Sequence, residues 1–265
     1  MENILSATII ISVLGLLFGC LLGVASKIFK VERDERFDKI MNVLPGANCG
    51  GCGFAGCSQF ADSVIKGDAE TTGCTVGGAS TATLVAQIMG TEAGEFKKKT
   101  AYVKCAGCSN VASEKYSYNG ICDCFAASKI LNGKKACEFG CLGLGSCVKV
   151  CTRDAITIEN GVAKVDPEKC GGCGACIKAC PKGLIDYVTE DNKYIVNCMN
   201  KEKGAALKNK CSVGCIGCGI CMKNCPSEAI TVKNFLAEID PEKCTGCGIC
   251  AEKCPKKIIS LVKEV

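Results

Sequence analysis

The chain has 265 residues, a formal net charge of +5 at pH 7, 27 cysteines, and neither histidine nor tryptophan. The missing histidine excludes imidazole zinc sites, histidine-ligated haem, and the histidine pairs that activate serine and cysteine nucleophiles. The modest charge, with no arginine-rich or aromatic-interleaved stretch, gives no indication of nucleic-acid binding.

The cysteines predict metal centres rather than disulfide bonds. About one residue in ten is cysteine, and many stand in C-x2-C spacing, which in a long chain is typical of metal binding. Two cysteines so close together can share one metal centre but are badly placed to pair with distant partners. We therefore expect reduced cysteines that face the cytoplasm, with ligation energy contributing to folding.

The first segment predicts a membrane anchor. Residues 4–26 (ILSATIIISVLGLLFGCLLGVAS) carry no charge over 23 residues, against the roughly 20 that a helix needs to cross a bilayer. Glu2 stands where a cleaved signal peptide would carry basic residues, which disfavours that alternative. Basic residues within 27–33 follow directly, so the positive-inside rule places the rest of the chain in the cytoplasm. We expect a single-pass protein of the cytoplasmic membrane, anchored by residues 1–30.

Residues 31–90 predict a small domain with one cluster, which we name site a. A short amphipathic helix ends before Pro45-Gly46. The motif NCGGCGFAGC then supplies three cysteines, and TTGCTVGG supplies a fourth. Its glycines let the backbone wind closely around a centre and offer amides to sulfur. Zinc is the alternative metal. The predicted [4Fe-4S] ligands of site a are Cys49, Cys52, Cys57 and Cys74.

Residues 91–136 form a connector with four further cysteines, in VKCAGC and ICDC. A run of three lysines at 97–99 marks a solvated boundary before them. The ICDC pair is too closely spaced to establish that both cysteines bind one cluster, so the connector alone gives no complete site.

An internal repeat with an offset of 74 residues follows the connector. CTRDAITIENGVAKVDPEKCGGCGACIKACP, from residue 151, matches CPSEAITVKNFLAEIDPEKCTGCGICAEKCP, from residue 225. The repeat defines unit 1 (137–190) and unit 2 (211–265), separated by a linker (191–210). Each unit contains two short strand-like pieces broken at a turn, which predicts a small hairpin beside the cysteines.

Each unit resembles a bacterial two-cluster ferredoxin, and unit 2 carries the complete C-x2-C-x2-C-x3-C-P motif twice. A zinc ribbon would instead show two C-x2-C pairs. The resemblance implies that the fourth cysteine of each motif ligates the other cluster. The predicted [4Fe-4S] ligands are then Cys151, Cys170, Cys173 and Cys176 for site c; Cys215, Cys218, Cys221 and Cys254 for site d; and Cys225, Cys244, Cys247 and Cys250 for site e.

The other cluster of unit 1, site b, departs from the motif. Leu144 occupies the place of Cys218, and Thr152 replaces the usual proline. The site could hold [3Fe-4S], keep a non-cysteine ligand, or recruit a cysteine from elsewhere. We expect site b to consist of Cys141, Cys147, Cys180 and one of Cys137, Cys198 and Cys211.

The remaining cysteines are enough for a sixth cluster, which we name site f. Iron is then expected to bind through cysteines at six sites, a to f. Cys211 and Cys137 stand at equivalent places in the two units, so we interpret Cys211 as a link between ferredoxin modules. Cys20 lies within the predicted span and is expected to be a small apolar packing residue, and Cys122 has no assigned role. Site f is predicted to use Cys105, Cys108, Cys124 and one of Cys137, Cys198 and Cys211.

The order of these parts resembles the B subunit of the Rnf complex over essentially the whole chain. The uncharged helix, the NCGGCGFAGC…C domain and the ferredoxin repeats carry the resemblance. Shorter members have one ferredoxin unit, so this chain resembles the longer type found in anaerobes. That membrane complex is an ion-translocating ferredoxin:NAD oxidoreductase. The resemblance implies electron uptake from soluble reduced ferredoxin and transfer through the clusters to other subunits with flavin and NAD sites.

The expected fold class is α+β: a single transmembrane helix, a small [4Fe-4S] domain, and two tandem bacterial two-cluster ferredoxin-like units. No residue of the chain needs to act as acid, base or nucleophile, because the chemistry belongs to the clusters. No glycine-rich phosphate loop follows a strand, so no nucleotide is expected to bind directly.

Three further hypotheses complete the interpretation. The chain could serve another membrane redox complex of the hydrogenase or formate type, or it could be a non-redox zinc or scaffold protein. Lys182, Lys256 and Lys257 follow the C-P motifs and could steer an acidic ferredoxin, although an ordinary solvated lysine face explains them equally well.

Overall fold

The computed structural model describes residues 2–28, 34–189, 191 and 193–262, without the side chains of residues 2–10, 26 and 28. Within this part of the chain, one long helix precedes many short ones. The helices are α1 (Glu2–Ile28), α2 (Glu35–Val43), α3 (Cys57–Lys66), α4 (Gly78–Met89), α5 (Cys124–Ser128), α6 (Ser146–Lys149), α7 (Ala175–Ala179), α8 (Gly204–Leu207), α9 (Ile220–Lys223) and α10 (Ile249–Glu252).

The described strands pair into four two-stranded antiparallel sheets, β2–β3, β6–β7, β1–β4 and β5–β8. The mixture of short helices and small sheets agrees with the expected α+β class. The strands are β1 (Thr100–Val103), β2 (Ile156–Glu159), β3 (Val162–Val165), β4 (Ile185–Val188), β5 (Tyr194–Val196), β6 (Ile230–Lys233), β7 (Leu236–Ile239) and β8 (Ile259–Leu261).

The predicted transmembrane span is not supported. Among the helices that the structure describes, none combines the length and the apolarity that crossing a membrane requires. Part of the predicted span, the side chains of residues 4–10 and 26, lies outside the described residues.

The predicted amphipathic helix after the first segment is confirmed as α2. Asp34 accepts a hydrogen bond from the Arg36 amide and so caps its start. Phe37 and Ile40 lie three residues apart, on the face that packs against α3 and α4. Phe60, at 1% exposure, lies at the centre of this small core, which supports the loop that carries the first cysteines.

The two ferredoxin-like units each contain the predicted hairpin. In unit 1, Ile156 pairs with Val165 across β2–β3, and in unit 2, Ile230 pairs with Ile239 across β6–β7. The cysteine loop of each unit packs on the hairpin turn. A Cβ added to Gly143 would lie 2.5 Å from the Gly161 carbonyl oxygen, so glycine is required for this close approach.

Each unit also gains a strand from outside its predicted bounds. β1, from the connector, pairs with β4 of unit 1, and β5, from the linker, pairs with β8 of unit 2. Cys105 and Cys198 each follow their strand by two residues. The two added strands therefore deliver cysteines from the connector and the linker to equivalent places.

Candidate iron–sulfur centres

The four predicted cysteines of site a surround one cavity. The cavity encloses about 330 Å³, part of it open to solvent, and is lined by Cys49, Cys52, Cys57 and Cys74. Cys57 begins α3, and its amide donates a 2.8 Å hydrogen bond to the Asn48 side chain. Burial raises the pKa of the Cys74 thiol, and the other three cysteines add to that rise. Metal binding would therefore displace protons from these thiols.

Unit 2 brings its eight motif cysteines together as two groups of four. The cavity at site d encloses about 370 Å³ and the one at site e about 290 Å³. The fourth cysteine of each motif lies with the other motif, as the ferredoxin resemblance implies. Burial, followed by the charge of Cys244, raises the pKa of Cys250 to about 11. Site d is lined by Cys215, Cys218, Cys221 and Cys254, and site e by Cys225, Cys244, Cys247 and Cys250.

Site c of unit 1 is arranged in the same way as site e. Burial, and then the charges of Cys170, Cys173 and Cys151, raise the pKa of Cys176 to about 11. Two backbone amides point at sulfur here: Ala101 to Cys170 at 3.5 Å and Ala155 to Cys151 at 3.4 Å. Such amides are the usual protein control on iron–sulfur centres.

At site b, the structure places Cys124 beside the three predicted cysteines. Burial raises the pKa of the Cys147 thiol to about 12, and the charges of Cys141, Cys124 and Cys180 follow as causes. Cys137, Cys198 and Cys211, the predicted candidates for the fourth position, are not among these neighbours. The predicted completion of site b therefore differs from the observed arrangement.

A local hydrogen-bond network positions Cys124. Asp123 caps α5 by accepting the Ala126 amide at 2.8 Å, and hydrogen bonds from Ala126 and Ser146 lower the pKa of Asp123. Ser146 donates to Asp123 at 2.8 Å and accepts the Cys124 amide at 2.7 Å. Because Ser146 directly precedes Cys147, this network holds Cys124 beside that thiol. Asp123 before CFAAS is a sequence signal for the start of α5, the helix that begins with Cys124.

At site f, four cysteines from four different segments surround one cavity of about 380 Å³. Burial, and then the charges of the other three cysteines, raise the pKa of Cys137 to about 11. The predicted members Cys108 and Cys124 do not line this cavity, because Cys108 packs on the core of unit 1 and Cys124 lies at site b. The lining cysteines are Cys105, Cys137, Cys198 and Cys211.

The two units contribute to site f in equivalent pairs. Cys137 and Cys211 differ by the repeat offset of 74 residues, and Cys105 and Cys198 follow the equivalent strands β1 and β5. The amide of Cys141 donates to Cys105 sulfur at 3.4 Å, and the amide of Cys215, its repeat partner, donates to Cys198 sulfur at 3.3 Å. Each unit, with its added strand, therefore supplies an equivalent pair of cysteines to site f.

The cysteine groups fit [4Fe-4S] clusters. Among the described side chains, no three potential ligands converge closely enough to hold a single metal ion. The cysteines instead surround cavities, with four thiols at each of the sites that show one. Four thiolates are the donor set that [4Fe-4S] takes.

Family models for iron–sulfur proteins match most of the chain. An Fe-S cluster family matches residues 44–76, and the LdpA Fe-S cluster-binding domain matches residues 128–191. Two 4Fe-4S dicluster domain families match residues 169–230 and 214–258. The chain therefore binds several [4Fe-4S] clusters.

Three curated proteins are similar over nearly the whole chain. The B subunit of the Na(+)-translocating ferredoxin:NAD(+) oxidoreductase complex of Acetobacterium woodii is 47% identical over 88% of this chain and 71% of its own length. The B subunit of the ion-translocating oxidoreductase complex of Methanosarcina acetivorans is 40% identical over 91% of both chains. The B subunit of the proton-translocating ferredoxin:NAD(+) oxidoreductase complex of Clostridium ljungdahlii is 42% identical over 91% of this chain and 85% of its own.

This chain belongs to the family of Rnf complex B subunits. As a member, it is an iron–sulfur electron-transfer subunit. The three relatives favour the Rnf family over the hydrogenase- or formate-type alternative. The matches to 4Fe-4S families contradict the zinc-scaffold alternative.

The cysteine groups of this Rnf family member follow one another in a series. At one end, a Cβ added to Gly51 of the site a loop would lie 2.9 Å from Cys173 Cα of site c. Thr75 also donates to the Gly172 carbonyl at 3.3 Å. Sites c and b share the core of unit 1, and sites d and e share the core of unit 2. Site f joins b to d through the two amide–sulfur contacts, so the order is a, c, b, f, d, e.

In this Rnf family member, two of the three lysines that follow the C-P motifs form hydrogen bonds to the backbone. Lys182 donates to the Glu138 carbonyl at 2.8 Å, and Lys256 donates to the Ser212 carbonyl at 2.8 Å. Both donors and both acceptors are repeat partners. Each lysine therefore fixes the segment that precedes a cysteine motif, while steering of an acidic partner stays a prediction for the exposed Lys257.

Three cysteines lie outside all six groups. Cys20 and Cys122 are exposed, and Cys108 is half-buried. The expected packing role of Cys20 stays a prediction.

Proposed function

We propose that this chain carries electrons within an ion-translocating ferredoxin:NAD oxidoreductase complex, from reduced ferredoxin to partner subunits that bind flavin and NAD. The observation that carries the proposal is the unbroken series of six four-cysteine groups. Bound clusters supply one-electron transfer, and the residues of the chain bind them, direct amides to their sulfurs and exclude water. No group of the chain needs to act as acid, base or nucleophile.

The proposed ligand sets follow the six observed groups. Sites a, c, d and e keep the ligands predicted from their motifs. Site b is completed by Cys124, and site f is shared between the units. The proposed ligands of the last two are Cys124, Cys141, Cys147 and Cys180 for site b, and Cys105, Cys137, Cys198 and Cys211 for site f.

The proposal is tested by iron and sulfide analysis, with EPR, on the anaerobically purified full chain. We expect about 24 iron and 24 sulfide per chain, since each [4Fe-4S] site holds four of each, and a brown colour that bleaches when reduced ferredoxin is added. A colourless, zinc-loaded chain, or one whose clusters ferredoxin does not reduce, would contradict the proposed function.

We further propose that α1 anchors the chain in the cytoplasmic membrane as a single pass, with the remaining chain on the cytoplasmic side. The support is the uncharged stretch 4–26 and the exposure of its apolar side chains, with Leu16 at 71% and Leu22 at 70%. Apolar side chains exposed over many turns favour a lipid or helical partner. Lys27 in the last turn agrees with the proposed orientation.

Extraction of membranes at alkaline pH tests the anchor. We expect the full chain to stay with the membrane and a chain without residues 1–33 to be released, when both are expressed without partner subunits. Leu16→Ala is the matched control and should not be released, because it preserves an uncharged helix. Release of the full chain under the same conditions would show that α1 does not span the bilayer.

A further inference from the structure

Within the described part of the chain, Lys135 is a buried cation without a carboxylate partner. Its side chain is 1% exposed, and its ammonium donates to the Gly107 carbonyl at 2.6 Å and to the Gly161 carbonyl at 2.9 Å. The ion pairs of the described residues do not include it. A buried ammonium held only by neutral groups is costly, so a negative charge nearby is expected.

The two carbonyls that hold this ammonium lie beside two cysteine groups. Lys135 lines the cavity of site f. A Cβ added to Gly107 would lie 3.5 Å from the sulfurs of Cys105 and Cys211 at site f, and Gly161 packs against Gly143 in the cysteine loop of site b. Lys135 therefore lies between the two groups, where clusters bound by four thiolates would each carry a net negative charge.

The other lysines of this region are placed differently. Lys182 is half-buried on the Glu138 carbonyl, and Lys210 is paired with Glu202 at 2.6 Å. Solvent screens their charges more strongly than it screens that of Lys135. In unit 2, the exposed Asn209 stands at the repeat position of Lys135. The buried charge is therefore particular to the junction of sites b and f.

We propose that Lys135 is a fixed positive charge that favours the reduced forms of the clusters at sites b and f. The inference rests on the proposed function. One electron converts [4Fe-4S]2+ to [4Fe-4S]1+, so a cluster with four thiolates gains one negative charge, and no bond or proton needs to be exchanged. The ammonium stabilises that additional charge, which makes the middle of the series easier to reduce than it would be without Lys135.

Redox titration of the full chain followed by EPR tests the proposal. In Lys135→Met, the ratio of reduced to oxidised cluster for the two affected signals should fall about tenfold at a fixed potential, equivalent to about 59 mV for one electron. Lys135→Arg should keep the ratio of the unchanged chain. Lys134→Met is the matched control, because it removes the same charge at the neighbouring residue. Lys134 forms a partly exposed ion pair with Glu114.

The outcomes separate charge from packing. A ratio within about twofold of the unchanged chain in a fully loaded Lys135→Met protein would overturn the proposal, since twofold is only a small part of the expected effect. If neutral variants instead lose iron, retention of that iron in Lys135→Arg supports the need for charge, and equal loss in Lys135→Arg overturns it. Failure of the proposed function would be recognised separately, by too little iron in the unchanged chain.

Discussion

Replacing Cys124 with alanine is expected to remove one cluster, about four of roughly 24 irons, together with one EPR signal of unit 1. The reason is that Cys124 lies beside the Cys147 thiol together with Cys141 and Cys180, where Leu144 interrupts the motif. Loss of one ligand from a four-thiolate site removes part of the ligation energy that also stabilises the fold. We therefore also expect faster loss of the remaining unit 1 clusters in chelator.

Cys122 provides the matched control, because it lies two residues away and is exposed. Cys122→Ala should keep the full iron content and all signals. A second variant separates ligation from positioning: Ser146→Ala removes the hydroxyl that accepts the Cys124 amide but keeps every thiol, so it should weaken the site without abolishing it. Full iron content and an unchanged spectrum in Cys124→Ala would rule out Cys124 as a ligand of site b.

Replacing Cys211 with alanine is expected to remove the cluster at site f and divide the electron path in two. The clusters of unit 2 would still be reduced from their own side, whereas electron transfer between the units would slow by at least about tenfold, the effect of 1.36 kcal/mol on a barrier. The reason is that site f alone joins sites b and d in the described chain. Rapid-freeze EPR after mixing with reduced ferredoxin measures the order in which the clusters are reduced.

Cys108→Ala is the control for this experiment, since Cys108 does not line the cavity of site f. It should keep both the iron content and the transfer rate. Cys198→Ala should reproduce the effect of Cys211→Ala, because both cysteines belong to the pair that unit 2 and its added strand supply to site f. If Cys211→Ala kept its iron and all cluster signals, Cys211 would be a packing residue instead.

The parts of the molecule that could be predicted are those in which the ligands are close in sequence. Sites a, c, d and e follow from local motifs, because C-x2-C-x2-C, or C-x2-C-x4-C at site a, places three sulfurs around one centre within a few residues. The hairpins β2–β3 and β6–β7 follow from short alternating strands at a turn. Cys74, which follows Cys57 after all of α3, is the next cysteine along the chain, in TTGCTVGG.

The structure groups the cysteines of sites b and f differently from the prediction, because tertiary pairing brings these ligands together. β1 and β5 are only four and three residues long, too short for their equivalence to be recognised from the sequence. Cys198 follows Cys105 by 93 residues, whereas the cysteine motifs repeat after 74, so the connector carries 19 residues that the linker lacks. This additional segment includes Cys124, the cysteine found where Leu144 leaves a gap. The constant offset of the repeat therefore concealed both added strands.

The paired contribution to site f couples the stability of the two ferredoxin units. Each unit presents only half of a four-thiolate shell, so the binding energy of that metal centre is gained only when both units are folded and docked. Unit 1 and unit 2 should therefore unfold in one cooperative step while the shared centre is intact. Once the cluster at site f is lost, a weaker contact around Cys211 remains, such as the bridge between Ala112 and Cys211. The two units should then show two separate melting transitions. In this sense the centre in the middle of the path is also a reversible cross-link, which takes the place that a disulfide would have in an oxidising compartment.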